Sequence, residues 1–359
     1  MKKNTLTLIF IFFLFNVNAA TFFWTGNIDT DWSKAGNWSD PFGSGVPGAN
    51  DFVVIPSAAS TNNVIPILED GDIVVIEGLL LENGGNLVIR EGARLTIRRD
   101  DFPTPAVGSG IQDNVCIELA GANSMLDNFG TLVINAVAMR DGSELIGILN
   151  RGRIRNSLSG FSILSRITIN NDVDFGIIAS SGTFFNSSIV TINNADGSVN
   201  SAGAAVRLDN GTFENTREDA ELNINNCTQD GILLNGTGDL INGGKISMTD
   251  IGETCLRSLG SGEFTNGVEG IYSTDSDGFR SILLDGTTMT NAGLVEINSA
   301  DFYGIEILDN GIINNEPGAS IEINLDADAK ETTVGIVSND GSIFNKGEII
   351  FDKISVTYL

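Results

Sequence analysis

Apolar residues in this chain recur in short runs of alternating apolar and polar positions, with no helical spacing. The runs are punctuated evenly by Gly and Asn, which predicts short strands and an all-β fold. Three columns hold the strands in phase. A Gly-x-apolar-x-Asn pattern closes at Asn128, Asn156, Asn186, Asn215, Asn242, Asn266, Asn291, Asn315 and Asn345. Two residues before each Asn stands Leu126, Ile154, Phe184, Phe213, Leu240, Phe264, Met289, Ile313 or Ile343. Four residues before it stands Gly, replaced only by Ser124 and Thr287. A less regular copy is read at Leu81 and Asn83.

Each copy carries two further strands. Upstream are runs such as Gly176–Ile178 and Gly304–Leu308, and downstream are Ile167–Asn170, Val190–Asn193 and Val295–Asn298. In the downstream runs one face is apolar and the other polar. Three strands per repeat predict a right-handed parallel β-helix of about ten coils, each roughly 24–30 residues long. A single coil cannot bury its inward face, whereas stacked coils share one core at about 4.8 Å per turn. The Asn column reads as structural: Asn accepts left-handed backbone at a corner, and stacked amides can bond from coil to coil. A leucine-rich horseshoe would need a leucine consensus and a helical piece in each repeat, and neither occurs.

The ends break the pattern. Residues 1–19 read as a signal peptide, with Lys2 and Lys3 ahead of the apolar run Leu6–Phe15 and a small-residue site at Val17-Asn18-Ala19. That run is too short to span a bilayer, and no later stretch is longer, so no transmembrane anchor is expected. Residues 20–56 hold Trp24, Trp32 and Trp38 and are expected to cap the first coil, with the repeats filling 57–359. A loop insertion is expected near 98–110. At the other end Ile349–Phe351 and Ile354–Tyr358 still read as strand. An uncovered last coil invites edge pairing. Two alternatives follow, self-association there or a longer protein, and the second is preferred.

Charge and composition then narrow the partners. A net charge of −26 disfavours phosphate backbones, which argues against nucleic acid. Cys116, Cys227 and Cys255 cannot all pair and are expected to be small buried hydrophobes. With no His, a zinc site is not expected.

Candidate chemistry is thin. Glycoside hydrolysis needs two carboxyl groups about 5–5.5 or 6.5–9.5 Å apart. Glu296 and Glu322 occupy the same outward position in successive coils, and Glu306 is outward in another strand. Arg151, Arg153 and Arg155 form a basic cluster with no acidic motif seen in phase with it. Asp275 with Asp277, and Asp326 with Asp328, resemble the openings of oxygen-rich Ca²⁺ loops, and Asp29-Thr30-Asp31 offers a further pair. An EF-hand loop fails, since the twelfth position from Asp275 is Gly286. Ordinary Asp turns remain the better reading, so no cofactor is expected beyond Ca²⁺ as a candidate. No Thr-x-Thr column recurs, which removes ice binding.

The string Trp24-Thr25-Gly26, Asp31-Trp32, Asn37-Trp38, Gly45-Val46-Pro47 and Asp51 resembles the opening of large secreted bacterial surface proteins. Many of that class use the type IX export system and continue into adhesin-like β-helical repeats. The resemblance implies an extracellular or cell-surface location and a structural or adhesive role, with polysaccharide or cell-surface components as partners. No C-terminal sorting domain is recognisable. The rival expectation is a carbohydrate-active β-helix, a lyase or hydrolase. Here fold analogy is the warrant, and the paired Asp motifs and His of β-helical pectin hydrolases are missing.

Overall fold

The computed structural model describes residues 19–40, 45–99, 110, 112–137, 144–158, 165–170, 173–195, 203–276, 278–324 and 334–352. Among them the helical pieces are two short 3₁₀ turns, Ala35–Asn37 and Ala58–Thr61. Every turn of chain lays one strand in each of three sheets, here called A, B and C. They contain 13, 11 and 11 strands. The result is a parallel β-solenoid of about eleven turns, which at about 4.8 Å per turn is roughly 50 Å long. Near the edge of sheet A, β1 (Thr21–Trp24) pairs antiparallel with the edge strand β2 (Trp38–Ser39) and parallel with β3 (Phe52–Ile55).

The core is a set of ladders. In sheet B, Leu126, Ile154, Phe184, Phe213 and Leu240 lie in register and are fully buried, and the Phe184 and Phe213 rings stack 4.9 Å apart. Cys116, Cys227 and Cys255 form no disulfide and are buried in the same core, as expected of small hydrophobes.

The Asn column runs through sheet B as a buried amide ladder. Nδ2 of each Asn donates to Oδ1 of the Asn one turn on, at 2.8 Å from Asn128 to Asn156 and at 2.8–2.9 Å in every later step to Asn345. The second amide hydrogen reaches a backbone carbonyl at the start of a sheet C strand, Arg166 for Asn128 and Ile271 for Asn242. These residues end strands, and none has the left-handed backbone expected of a corner. Amide stacking, not turn geometry, is therefore what demands Asn here.

The early copy is corrected. Leu81 belongs to sheet A, where it pairs with Ile55 and Leu119, and Asn83 follows that strand. The residues in phase with Asn128 are Ile89 and, one turn earlier, Leu68. The column thus begins apolar at its first two turns, and the turns number about eleven, one more than the nine regular copies and the early one. Its Gly partner also has a reason. A Cβ on Gly262 would lie 2.1 Å from the Gly238 carbonyl oxygen, so the turns could not approach as they do.

At the N-terminal end Trp24 and Trp32 pack edge-on against Trp38 at 4.9 and 4.6 Å. The carboxylates of Asp29 and Asp31, read as a candidate cation pair, converge on the Lys34 ammonium. At the other end Ile343 is 38% exposed while Ile313, one turn before it, is fully buried, because no further turn covers the last ladder among the described residues. Residues 1–18 of the leader fall outside the described residues. So does most of the 98–110 segment, although the strand Arg94–Arg99 takes in its first two positions.

Candidate functional site

The exterior of sheet C is a second, outer amide column. Asn170 donates to Asn135, Asn193 to Asn170, and Asn225 to Asn193, at 3.0, 2.9 and 2.9 Å. Thr249 continues it by donating to Asn225, and Asp275 pairs with Thr249 in the next turn. Asp275 is exposed at the end of the strand Ile271–Asp275. The other three predicted Ca²⁺ residues, Asp277, Asp326 and Asp328, lie outside the described residues. Among the described residues no group of three or more Asp, Glu, Cys or His is placed to hold a metal ion.

Glu296 and Glu322 are register partners on this same face, as their spacing predicts. Glu296 accepts from the Ser273 hydroxyl and Glu322 from that of Ser320. Glu306, in contrast, belongs to sheet A. The three acids therefore sit on two faces and do not flank one bond.

Sheet A carries the chemically richest exterior. Strands in register place Glu118, Leu149, Ile178, Arg207, Leu233, Arg257, Leu283 and Glu306 in one outward column. Beside it runs a second column, in which Ile146, Phe175, Ala204 and Asp230 lead towards Arg280 and Tyr303. The apolar members form a small cluster separate from the core. The charged members are paired, either with one another or with a neighbour beside the columns. Arg151 meets Glu118 at 2.6 Å, Arg207 meets Asp209 at 2.7 Å, Arg257 meets Asp230 at 3.5 Å, and Arg280 is bonded to Glu306.

These pairs correct the reading of the basic cluster. Arg151 and Arg155 are each held by an acid of the preceding turn, Glu118 and Asp127, while Arg153 remains exposed. Asp127 is the register partner of Arg155, one residue from the Asn ladder. The phase of that ladder was the signal that would have found it.

Asp230 is the most perturbed acid of this face. Burial pushes its carboxyl up to about 6, and the pull of Arg257 in the other direction is weaker, because that guanidinium is itself over one-third exposed. Oδ1 of Asp230 has no hydrogen-bond partner. A raised carboxyl suits a general acid, but Asp230 is only 2% exposed, so no substrate atom reaches it. It is a buried structural acid.

The same face ends in an aromatic platform that sequence reasoning missed. Phe279 and Phe302 precede sheet A strands in successive turns, with ring centroids 4.5 Å apart. Tyr303 stands edge-on to Phe279 at 5.8 Å, and the Arg280 guanidinium lies 4.4 Å over the Phe279 ring. All three rings are half-buried. Two open grooves of about 660 and 600 Å³ lie elsewhere, one around Val88, Arg90 and Phe129 and one around Val268, Ile271 and Pro317.

No helix among the described residues is long and apolar enough to cross a membrane. A family model described as a domain of unknown function, DUF8693, matches residues 23–106, the tryptophan-bearing segment and the first turns. No curated protein matches the chain. Among solved structures, the crystal structure of a TibC-catalysed hyper-glycosylated TibA fragment aligns over 83% of this chain and 95% of its own, at 12% identity. Its TM-score is 0.22, and nothing about this chain follows from it.

Proposed function

We propose that this protein is an extracellular, adhesin-like β-solenoid. Residues 1–19 direct export, residues 20–56 close the first turn, and the remaining turns form a stiff, non-catalytic spacer that binds polysaccharide or cell-surface components along one side. The carrying observation is the state of the sheet A acids. Glu118, Asp230 and Glu306 are each buried and held by an Arg, so none is free to act as acid, base or nucleophile. The continuous pairing of all three sheets supports a rigid rod, since each turn is locked to both neighbours. Support for the location comes from the basic, apolar leader and the tryptophan-bearing opening that resembles secreted surface proteins.

The test is size-exclusion chromatography with light scattering on the protein mixed with acidic and neutral polysaccharides. Co-elution of protein and glycan without loss of glycan mass is the expected result. A glycan peak that shrinks with time would overturn the non-catalytic reading and establish a lyase or hydrolase.

A further inference from the structure

The geometry points to the Phe279–Phe302–Tyr303 platform, with Arg280 and Glu306, as a binding site for an uncharged polysaccharide. This rests on the surface-binding reading above and names its ligand class. The other aromatic pairs among the described residues are buried, either around Trp38 or in the core. Among the described residues this cluster alone presents ring surface to solvent while its members still contact one another. Half-exposed Phe leaves apolar area in water, and two such rings held one turn apart, tilted 39° to each other, make a small apolar patch.

Electrostatics select among ligands for that surface. A polyanion is disfavoured by the net charge of −26. A cationic ligand is disfavoured because Arg280 already sets a positive charge over Phe279, and that contact leaves the half-buried Phe302 and Tyr303 rings as the apolar face for a ligand. What remains is a neutral ligand with an apolar face and a hydroxyl rim, the description of a hexose ring. The rim finds partners in the Arg280–Glu306 pair, whose side chains keep 23% and 11% exposure, and in the Tyr303 hydroxyl.

Affinity electrophoresis of the full chain in native gels cast with a neutral xyloglucan, with polygalacturonate as the acidic control, tests this. The expected result is retardation by xyloglucan that survives added salt, with binding about tenfold weaker in F279A/F302A. F185A, which removes a half-buried ring on the sheet B exterior, serves as a control and keeps the retardation. Thermal melts of each variant separate lost binding from lost folding. If F279A/F302A melts early, R280Q replaces it, with the same loss of retardation expected. Equal retardation of wild type and variant, no retardation by xyloglucan, or salt-sensitive retardation by polygalacturonate alone would each overturn the assignment. Displacement by an apolar peptide but not by free oligosaccharide would assign the platform to a protein partner and overturn it too. None of these outcomes shortens the glycan, so they are distinguishable from failure of the non-catalytic reading.

Discussion

Replacing Asn242 with Ala removes one rung from the middle of the inner amide ladder. Asn242 donates to Asn266 Oδ1 at 2.8 Å and to the Ile271 carbonyl at 3.0 Å. It accepts from Asn215 at 2.9 Å and from the Gly244 amide at 3.2 Å. At a net value of about 1 kcal/mol per bond, four losses amount to roughly 4 kcal/mol. The substitution also strands Asn266 Oδ1, which is buried, adding about 1–2 kcal/mol. Two other rungs calibrate that figure. Asn345 is exposed at the last turn and accepts one ladder bond, so Asn345→Ala should cost about 1 kcal/mol or less. Asn128 begins the ladder above Ile89, so its own Oδ1 already lacks a donor. Asn128→Ala therefore exchanges one stranded oxygen for another and should cost about 2 kcal/mol for its two lost bonds. Urea unfolding followed by far-UV circular dichroism reads all turns, while fluorescence from Trp24, Trp32 and Trp38 reads the N-terminal end. Comparing the two probes shows whether the turns unfold together, which a solenoid need not do. Equal costs at 242 and 345 would refute the ladder as a source of stability, because side-chain truncation is common to both.

Three further outcomes follow from single residues. Asp230 keeps its proton up to about pH 6 in the folded protein but only to 3.8 when unfolded. Wild-type stability should therefore fall as pH rises from about 4 to about 6, and Asp230→Asn should remove up to about 3 kcal/mol of that fall. A stability difference between the two proteins that stays constant from pH 4 to 7 would contradict this. Gly262→Ala places a methyl against the Gly238 carbonyl and should destabilise by about 2 kcal/mol or more in the same urea assay, with an unchanged midpoint counting against the close approach. Asp275→Asn restores the residue type of the outer column and should raise the melting temperature slightly in the absence of Ca²⁺. If Asp275 is instead a Ca²⁺ ligand, wild type will melt higher with added Ca²⁺ and the variant will lose that rise.

The periodic string carried most of the architecture. An apolar residue and an Asn held in phase through nine copies, with Gly in seven of them, mean stacked, equivalent turns, because equivalence in sequence is equivalence in contact once turns lie on one another. The same phase contained the Asp127–Arg155 pair, one residue from the ladder, for anyone who reads the neighbours of the column as stacked. The early copy was placed out of phase, at Leu81 and Asn83, because Leu68 and Ile89 fill the Asn position with an apolar side chain, which packs there but signals nothing.

Sheet A was legible only in part. Its outward columns carry no recurrent residue type to mark the register: Glu118, Leu149, Ile178, Arg207, Leu233, Arg257, Leu283 and Glu306 succeed one another at one position. The Asn phase, which belongs to sheet B, cannot place Phe279 against Phe302 or Arg280 against Glu306. Nor can a sequence state that Asp230 is buried beside a partly solvated Arg257, since that depends on what covers each atom. The sequence by itself determined the repeat, the all-β class, the inward ladders and the buried cysteines, because these follow from periodicity and hydrophobicity. Tertiary structure alone decided which charges neutralise one another and which rings reach solvent, because side chains 20 to 30 residues apart meet only once the register of every turn is set.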